Sequence, residues 1–171
     1  MGNERTQGVL LTGTVGSGKT SIAIELGHVL AERSIPTAVI DLDWLGWLVG
    51  ARSDVEALIR ANLEASWPNF RARGVTHVVL TRTIHDPQHL DSLRRTITDV
   101  DLTIVRVTAP NETLEERLRQ RDTGAELDEH LSQARRMTQL LDEAAIEDFR
   151  LSNNGSVHEA AAALFRQLGW G

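Results

Sequence analysis

Gly13-Thr14-Val15-Gly16-Ser17-Gly18-Lys19-Thr20 matches G-x-x-x-x-G-K-[ST] at every fixed position, and the chemistry this spacing serves is the holding of phosphate. The glycines permit backbone torsions and close approaches that a Cβ would block, so consecutive N–H groups can turn inward onto phosphate oxygens. A helix opening through Thr20 and Ser21 adds the partial positive charge of its N-terminus. Lys19 supplies a compact ammonium on a flexible stem, suited to β- and γ-phosphates, where a broad planar guanidinium would fit poorly. Thr20 offers its hydroxyl to Mg²⁺. Among 18 basic residues Lys19 is the only lysine, so the bias toward arginine elsewhere spared this position. Four fixed positions drawn at average frequencies would coincide in such a chain in under roughly 1% of cases; the competing reading is a glycine-rich turn without a ligand.

A second chemical group follows one helix and one strand later. The helix read from Thr20 to Arg33 carries the chain about 20 Å away at 1.5 Å per residue. The strand Thr37-Ala38-Val39-Ile40-Asp41 returns it by roughly 17 Å. Asp41-Leu42-Asp43 is therefore expected at the carboxyl edge of the sheet, where ligands bind in open α/β folds. A carboxylate there can hold Mg²⁺ through water or accept a proton from an attacking hydroxyl, and either acid can instead cap a helix or tie a loop. Trp44 and Trp47, three apart, can wall a substrate pocket by stacking or belong to the core. Arg82, ending the third strand, can hold an anionic substrate or join a surface ion pair. His85 and Asp86 are read mainly as a helix cap. Asp43-Trp44-Leu45-Gly46 spells D-x-x-G, but a chain with one lysine has no N-K-x-D to accompany it.

These residues need a scaffold of alternating strands and helices. Gly8 to Thr12 reads as a buried strand leading into the phosphate loop. Ser53 and Glu56 form a capping-box pattern for a helix running toward Arg73, with Pro68 expected to kink or restart it. His77 to Thr81 is the third strand, a helix runs near Pro87 to Thr98, and Leu102 to Thr108 is the fourth strand. A Pro110-opened helix carries Leu114, Leu118 and three arginines. Asp122 to His130 is polar and contains Gly124, so a mobile excursion is expected before a helix from about Leu131 to Ala145. Phe149 to Ser152 is the fifth strand, and Ser156 with Glu159 caps a closing helix near Ala160 to Leu168. This alternation predicts a three-layer α/β/α fold around a parallel sheet.

With 171 residues, 41% hydrophobic and 25% charged, the chain has the composition of one globular domain. It has no cysteine, hence neither disulfides nor thiolate ligands for zinc. No apolar run approaches the roughly 20 residues of a membrane span, and Met1 to Gln7 lacks a basic, signal-like character, so an intracellular protein is expected. A net charge of -6 argues against nucleic acid as the partner.

With the P-loop, the acid pair and the arginine-bearing helix in this order, the chain resembles the small P-loop kinases of metabolites and nucleotides, of the shikimate, gluconate, adenylylsulfate and nucleoside monophosphate types. Glu112 to Arg121 looks like their helix leading into the lid, here a short segment near 117–136. Phe149 to Ser156 looks like their last strand and the turn beside the adenine, which places Asn153 and Gly155 at the nucleotide. The resemblance implies a P-loop NTPase sheet of five parallel strands in order 2-3-1-4-5. It also implies transfer of the γ-phosphoryl of ATP to a small acceptor; Mg²⁺ brought with the nucleotide and a cytoplasmic monomer or homodimer are expected. Arg117 and Arg121 share a helix face and would neutralise charge on the transferred group, while Arg119 suits a solvated face with Glu115 and Glu116. The third strand lacks the Asp that many P-loop proteins carry there, so metal binding falls on Asp43 with Thr20. Two other readings stand: an ATP-sensing or slowly hydrolysing module read by a partner, and a polynucleotide 5′-kinase using Arg94, Arg95, Arg117, Arg119 and Arg121.

Overall fold

The computed structural model describes residues 5–50 and 54–171. Five parallel strands form one sheet in the order β2-β3-β1-β4-β5: β1 Thr6–Thr12, β2 Thr37–Asp41, β3 His77–Thr81, β4 Val100–Thr108 and β5 Phe149–Ser152. The helices are α1 Lys19–Glu32, α2 Leu42–Leu45, α3 Val55–Arg71, α4 Pro87–Thr96, α5 Asn111–Arg121, α6 Gly124–Ala144 and α7 Val157–Gln167. The expected three-layer fold and strand order are both present.

Strand periodicity explains the two cores. Successive side chains point to opposite faces, so a strand covered on both sides must be apolar throughout. Leu10 joins Ala38, Ile40, Val78, Leu80 and Ile104 beneath α2, α3 and α4. Its neighbours Val9 and Leu11 join Val79, Val105 and Val107 beneath α1 and α7. Leu10 and Leu11 are both fully buried, and truncating either to Ala would cost about 2–5 kcal/mol. The rigid centre of the sheet is thus the strand that delivers the phosphate loop.

Several local readings change. The segment 122–130 is not a loop excursion, because α6 begins at Gly124. Leu127, Leu131, Ala134 and Leu141 continue one 3.6-residue stripe through it, with Ala134 and Leu141 buried. Pro68 does not restart α3, which runs through it without a break from Val55 to Arg71. The carbonyl of Glu64 that loses its donor lies on a solvent-exposed stretch where water can replace it. Ser53 lies outside the described residues; Asp54 caps α3 by accepting from the Ala57 N–H. The Ser156–Glu159 capping box forms as expected.

Candidate active site

The phosphate loop leaves β1 at Thr12 and is pinned from beneath. Ile84 N–H donates to Thr12 Oγ1 at 3.0 Å, and Thr83 Oγ1 donates to the Gly13 carbonyl at 2.7 Å. Gly13 has φ 147°, and a Cβ there would stand 2.5 Å from the Val107 carbonyl oxygen. Gly18 adopts φ 96° as the N-cap of α1, where a Cβ would collide with the Asn153 amide. No side chain caps α1 and no acid occupies its first turn. Its terminal N–H groups therefore await an external acceptor, and Ser17 Oγ is buried beside them without a partner. This cradle fits a phosphate group.

Lys19 folds back into the loop, donating from Nζ to the carbonyls of Gly13 at 2.9 Å and Thr14 at 3.0 Å. Burial lowers its ammonium to about 8, the carboxylates of Asp43 and Asp41 oppose the shift, and Arg121 adds to it. The acid pair and the loop are thus electrostatically one site.

Asp41 ends β2 in register with Thr81 of β3, at the carboxyl edge of the sheet. Its Oδ2 accepts the Thr20 hydroxyl at 2.9 Å, and its Oδ1 caps α2 by accepting from the Asp43 N–H at 3.1 Å. The acid that meets Thr20 is therefore Asp41 rather than Asp43. An exposed hydroxyl beside a carboxylate is an oxygen-only donor set of the kind Mg²⁺ takes. Partial burial raises the Asp43 carboxyl from its ordinary value, Arg82 holds part of that back, and Asp41 adds to it.

Arg82 turns away from open solvent. Both of its terminal nitrogens donate to the Glu56 carboxylate, and its Nε lies 3.5 Å from Asp43 Oδ1. Trp44 and Trp47 are not core: they stack with centroids 5.1 Å apart and planes at 18°, exposed by 67% and 68%. Their exposure follows from α2, where Leu42 is buried and Leu45 packs on the core, turning Asp43 and Trp44 outward. Asp86 caps α4 through the Gln88 N–H, as read from the sequence.

A cavity of about 330 Å³ opens over the loop, lined by Val15, Lys19, Arg117, Arg121, Asn153 and Val157 among others. Gly16, Gly18, Thr20 and Ser21 also border it. Gly155 does not; it packs against the Glu159 carboxylate. Asn153 is buried and donates from Nδ2 to the Ser17 carbonyl at 2.8 Å. Arg117 donates to the Asn153 carbonyl at 3.0 Å and, more loosely, to those of Ser17 and Gly16 at 3.4 and 3.5 Å. These bonds join α5 and the turn after β5 to the phosphate loop. Arg121 instead forms two hydrogen bonds with Asp122, which also meets His130 Nδ1 at 2.7 Å. The Arg121 guanidinium holds the Asp122 carboxyl at about 2. Asp122, Glu126 and His130 bring potential ligand atoms within 4.8 Å of one another, but Arg121 lies 3.2 Å from His130 Nδ1 and fills the role of counter-charge. Arg119 pairs with Glu115 at 2.8 Å, the solvated face expected of it.

Sequence reading missed Thr12, Thr83 and Glu56 as parts of this site. Nothing marks Thr83 in the sequence, and Glu56 carried the signature of a helix cap.

A P-loop following β1 and two carboxylates at and just after the end of β2, the next strand in sequence and the second away in the sheet, together with this sheet order, match the fold of the P-loop small-molecule kinases. Solved structures bear this out over nearly the whole chain. An unliganded sugar kinase from Janibacter sp. matches with TM-score 0.66 at 15% identity, covering 96% of this chain and 95% of that one. The APS kinase of Mycobacterium tuberculosis, in complex with AMPPNP and APS, matches with TM-score 0.60 at 23% identity over 98% and 99%. Shikimate kinase from Acinetobacter baumannii, in complex with shikimate, matches with TM-score 0.61 at 16% identity over 98% and 95%. No protein-family model and no curated protein matches the sequence. Among the described residues no helix is long and apolar enough to cross a membrane.

Proposed function

We propose that this chain is an ATP- and Mg²⁺-dependent phosphotransferase that moves the γ-phosphoryl of ATP to a hydroxyl of a small molecule, acting as one domain in the cytoplasm as a monomer or homodimer. The observation that carries the reading is the meeting of two half-sites: an uncapped helix N-terminus with Lys19 on one side, and Asp41 bonded to Thr20 with Asp43 beside it on the other. Thr20 and Asp41 would hold Mg²⁺, which when bound neutralises charge on the β- and γ-oxygens. Lys19 clamps the phosphates. Asp43, outward-facing and with a raised affinity for protons, accepts the proton of the acceptor hydroxyl as its oxygen bonds to phosphorus and ADP leaves. Arg117 keeps the loop in shape from the short lid near 117–136, and Arg121, once released from Asp122, adds positive charge at the transferred group.

The test is ATP consumption with Mg²⁺ against nucleosides, nucleotides, sugars, hydroxy acids and adenylylsulfate, with Lys19→Ala as blank. A phosphorylated product formed by the wild type and lost in the variant is expected. ATP turnover that no acceptor accelerates, coupled to nucleotide-dependent protein binding, would favour a regulatory module instead. That reading draws on the exposed surface of Trp44, Trp47, Leu48 and Val49. A polynucleotide acceptor is disfavoured by the net charge of -6 and by Arg119 being matched by Glu115.

A further inference from the structure

Three observations converge on the chemistry of the acceptor, resting on the phosphotransferase reading. The first is that the arginine nearest the reacting carboxylates is already satisfied. Arg82, 13% exposed, gives its fork to Glu56 and its Nε to Asp43. A guanidinium enclosed by two carboxylates has no free edge for a carboxylate or phosphate on the acceptor. On the acceptor side Asp43 and Glu56 flank Arg82, two carboxylates against one guanidinium, with His89 lying 3.8 Å from Glu56 and 3.9 Å from Asp86. Lys19, Arg117 and Arg121 stand on the phosphate side of the site.

The second observation removes the obvious alternative pocket. The groove between α3 and α4, floored by Leu42, Ile59, Leu63 and Ile84, offers only about 20 Å³ because its own side chains and the Arg82–Glu56 pair fill it. That is room for about one water. The third is where apolar surface is left open. Trp44 follows Asp43 directly on the outward side of α2 and stacks on Trp47, leaving two large indole faces two-thirds exposed next to the acid. Aromatic faces bind flat rings by stacking and cations through the ring quadrupole.

We infer that the acceptor is a neutral or cationic hydroxyl compound with a flat, apolar portion, which lies on the Trp44–Trp47 stack while its hydroxyl meets Asp43. Carboxylated and phosphorylated counterparts are disfavoured, because Arg82 is already paired and offers them no free guanidinium edge beside Asp43. The inference replaces the expectation that Arg82 holds an anionic substrate.

The experiment uses matched pairs: a nucleoside, an aryl glucoside and an aminoalkyl aryl alcohol, each beside its carboxylated or phosphorylated counterpart. Indole fluorescence reads binding, and Mg-ATP-dependent product formation reads transfer, in wild type, Lys19→Ala and Trp44→Ala/Trp47→Ala. Both tryptophans are exposed, so the double variant is expected to keep its fold. Flat neutral or cationic members should bind and be phosphorylated, and the double variant should raise their KM about ten-fold or more with kcat within about two-fold, as loss of stacking alone predicts. Preference for the anionic counterparts, or an unchanged KM in the double variant, overturns the inference and leaves the kinase reading intact. Flat members that quench wild type and Lys19→Ala alike without being phosphorylated overturn the kinase reading and keep the binding inference. Neither binding nor transfer across the flat set overturns the inference and leaves the indole pair to a protein partner.

Discussion

Burial lowers the Lys19 ammonium from 10.5 to about 8, with Asp43 and Asp41 opposing the shift, and the rest of the composition makes this titration unusually easy to isolate. The chain has no Tyr, no Cys and no other Lys, so from about pH 7.5 to 10 only Lys19 and a terminal amino group change charge. A bound polyphosphate favours the charged ammonium, so affinity is present below the free-site value and lost as pH rises through it. The apparent nucleotide Kd should grow as 1 + 10^(pH − 8), about 1.1-fold at pH 7, about 2-fold at pH 8 and about 11-fold at pH 9. Calorimetry with Mg-ADP in two buffers of different protonation enthalpy checks this, with an uptake of about half a proton per nucleotide expected at pH 8. Asp43→Asn removes the largest opposing charge and should move the break below that of wild type. The fold responds with the opposite sign: Lys19 binds fewer protons folded than unfolded between about pH 8 and 10.5, so stability should rise with pH there. A Kd that stays flat from pH 7 to 9.5, with no proton uptake, would refute the placement of this ammonium at the phosphates.

Two further outcomes concern the clamp between the loop and the last strand. Asn153→Ala leaves the buried Ser17 carbonyl only the looser bond from Arg117 and should cost about 1–2 kcal/mol in urea unfolding, with weaker nucleotide binding. Gly18→Ala meets both a φ of 96° and the Asn153 amide; it should lower the melting temperature less in an Asn153→Ala background, where about 1–2 kcal/mol of backbone strain alone remains. Equal effects in both backgrounds would mean that the two residues do not touch.

Chemistry that one stretch of chain carries within itself was legible in the sequence. The phosphate loop is eight consecutive residues whose torsions and N–H groups make the cradle, and the Ser156–Glu159 cap closes over three residues. The strands His77–Thr81 and Phe149–Ser152 were likewise bounded by their own composition. Strand order came through the resemblance to P-loop kinases rather than through the residues themselves. What only the tertiary structure decided are pairings across distant segments. Arg82 meets Glu56 from 26 residues away, Arg117 meets Ser17 from 100, and Asn153 meets it from 136. Such partners depend on which faces of packed helices come together, and no local pattern encodes that. The division between Asp41 and Asp43 has the same origin. Two acids two residues apart are equivalent on paper, but burying Leu42 and Leu45 rotates α2 so that Asp41 turns to Thr20 while Asp43 and Trp44 face outward.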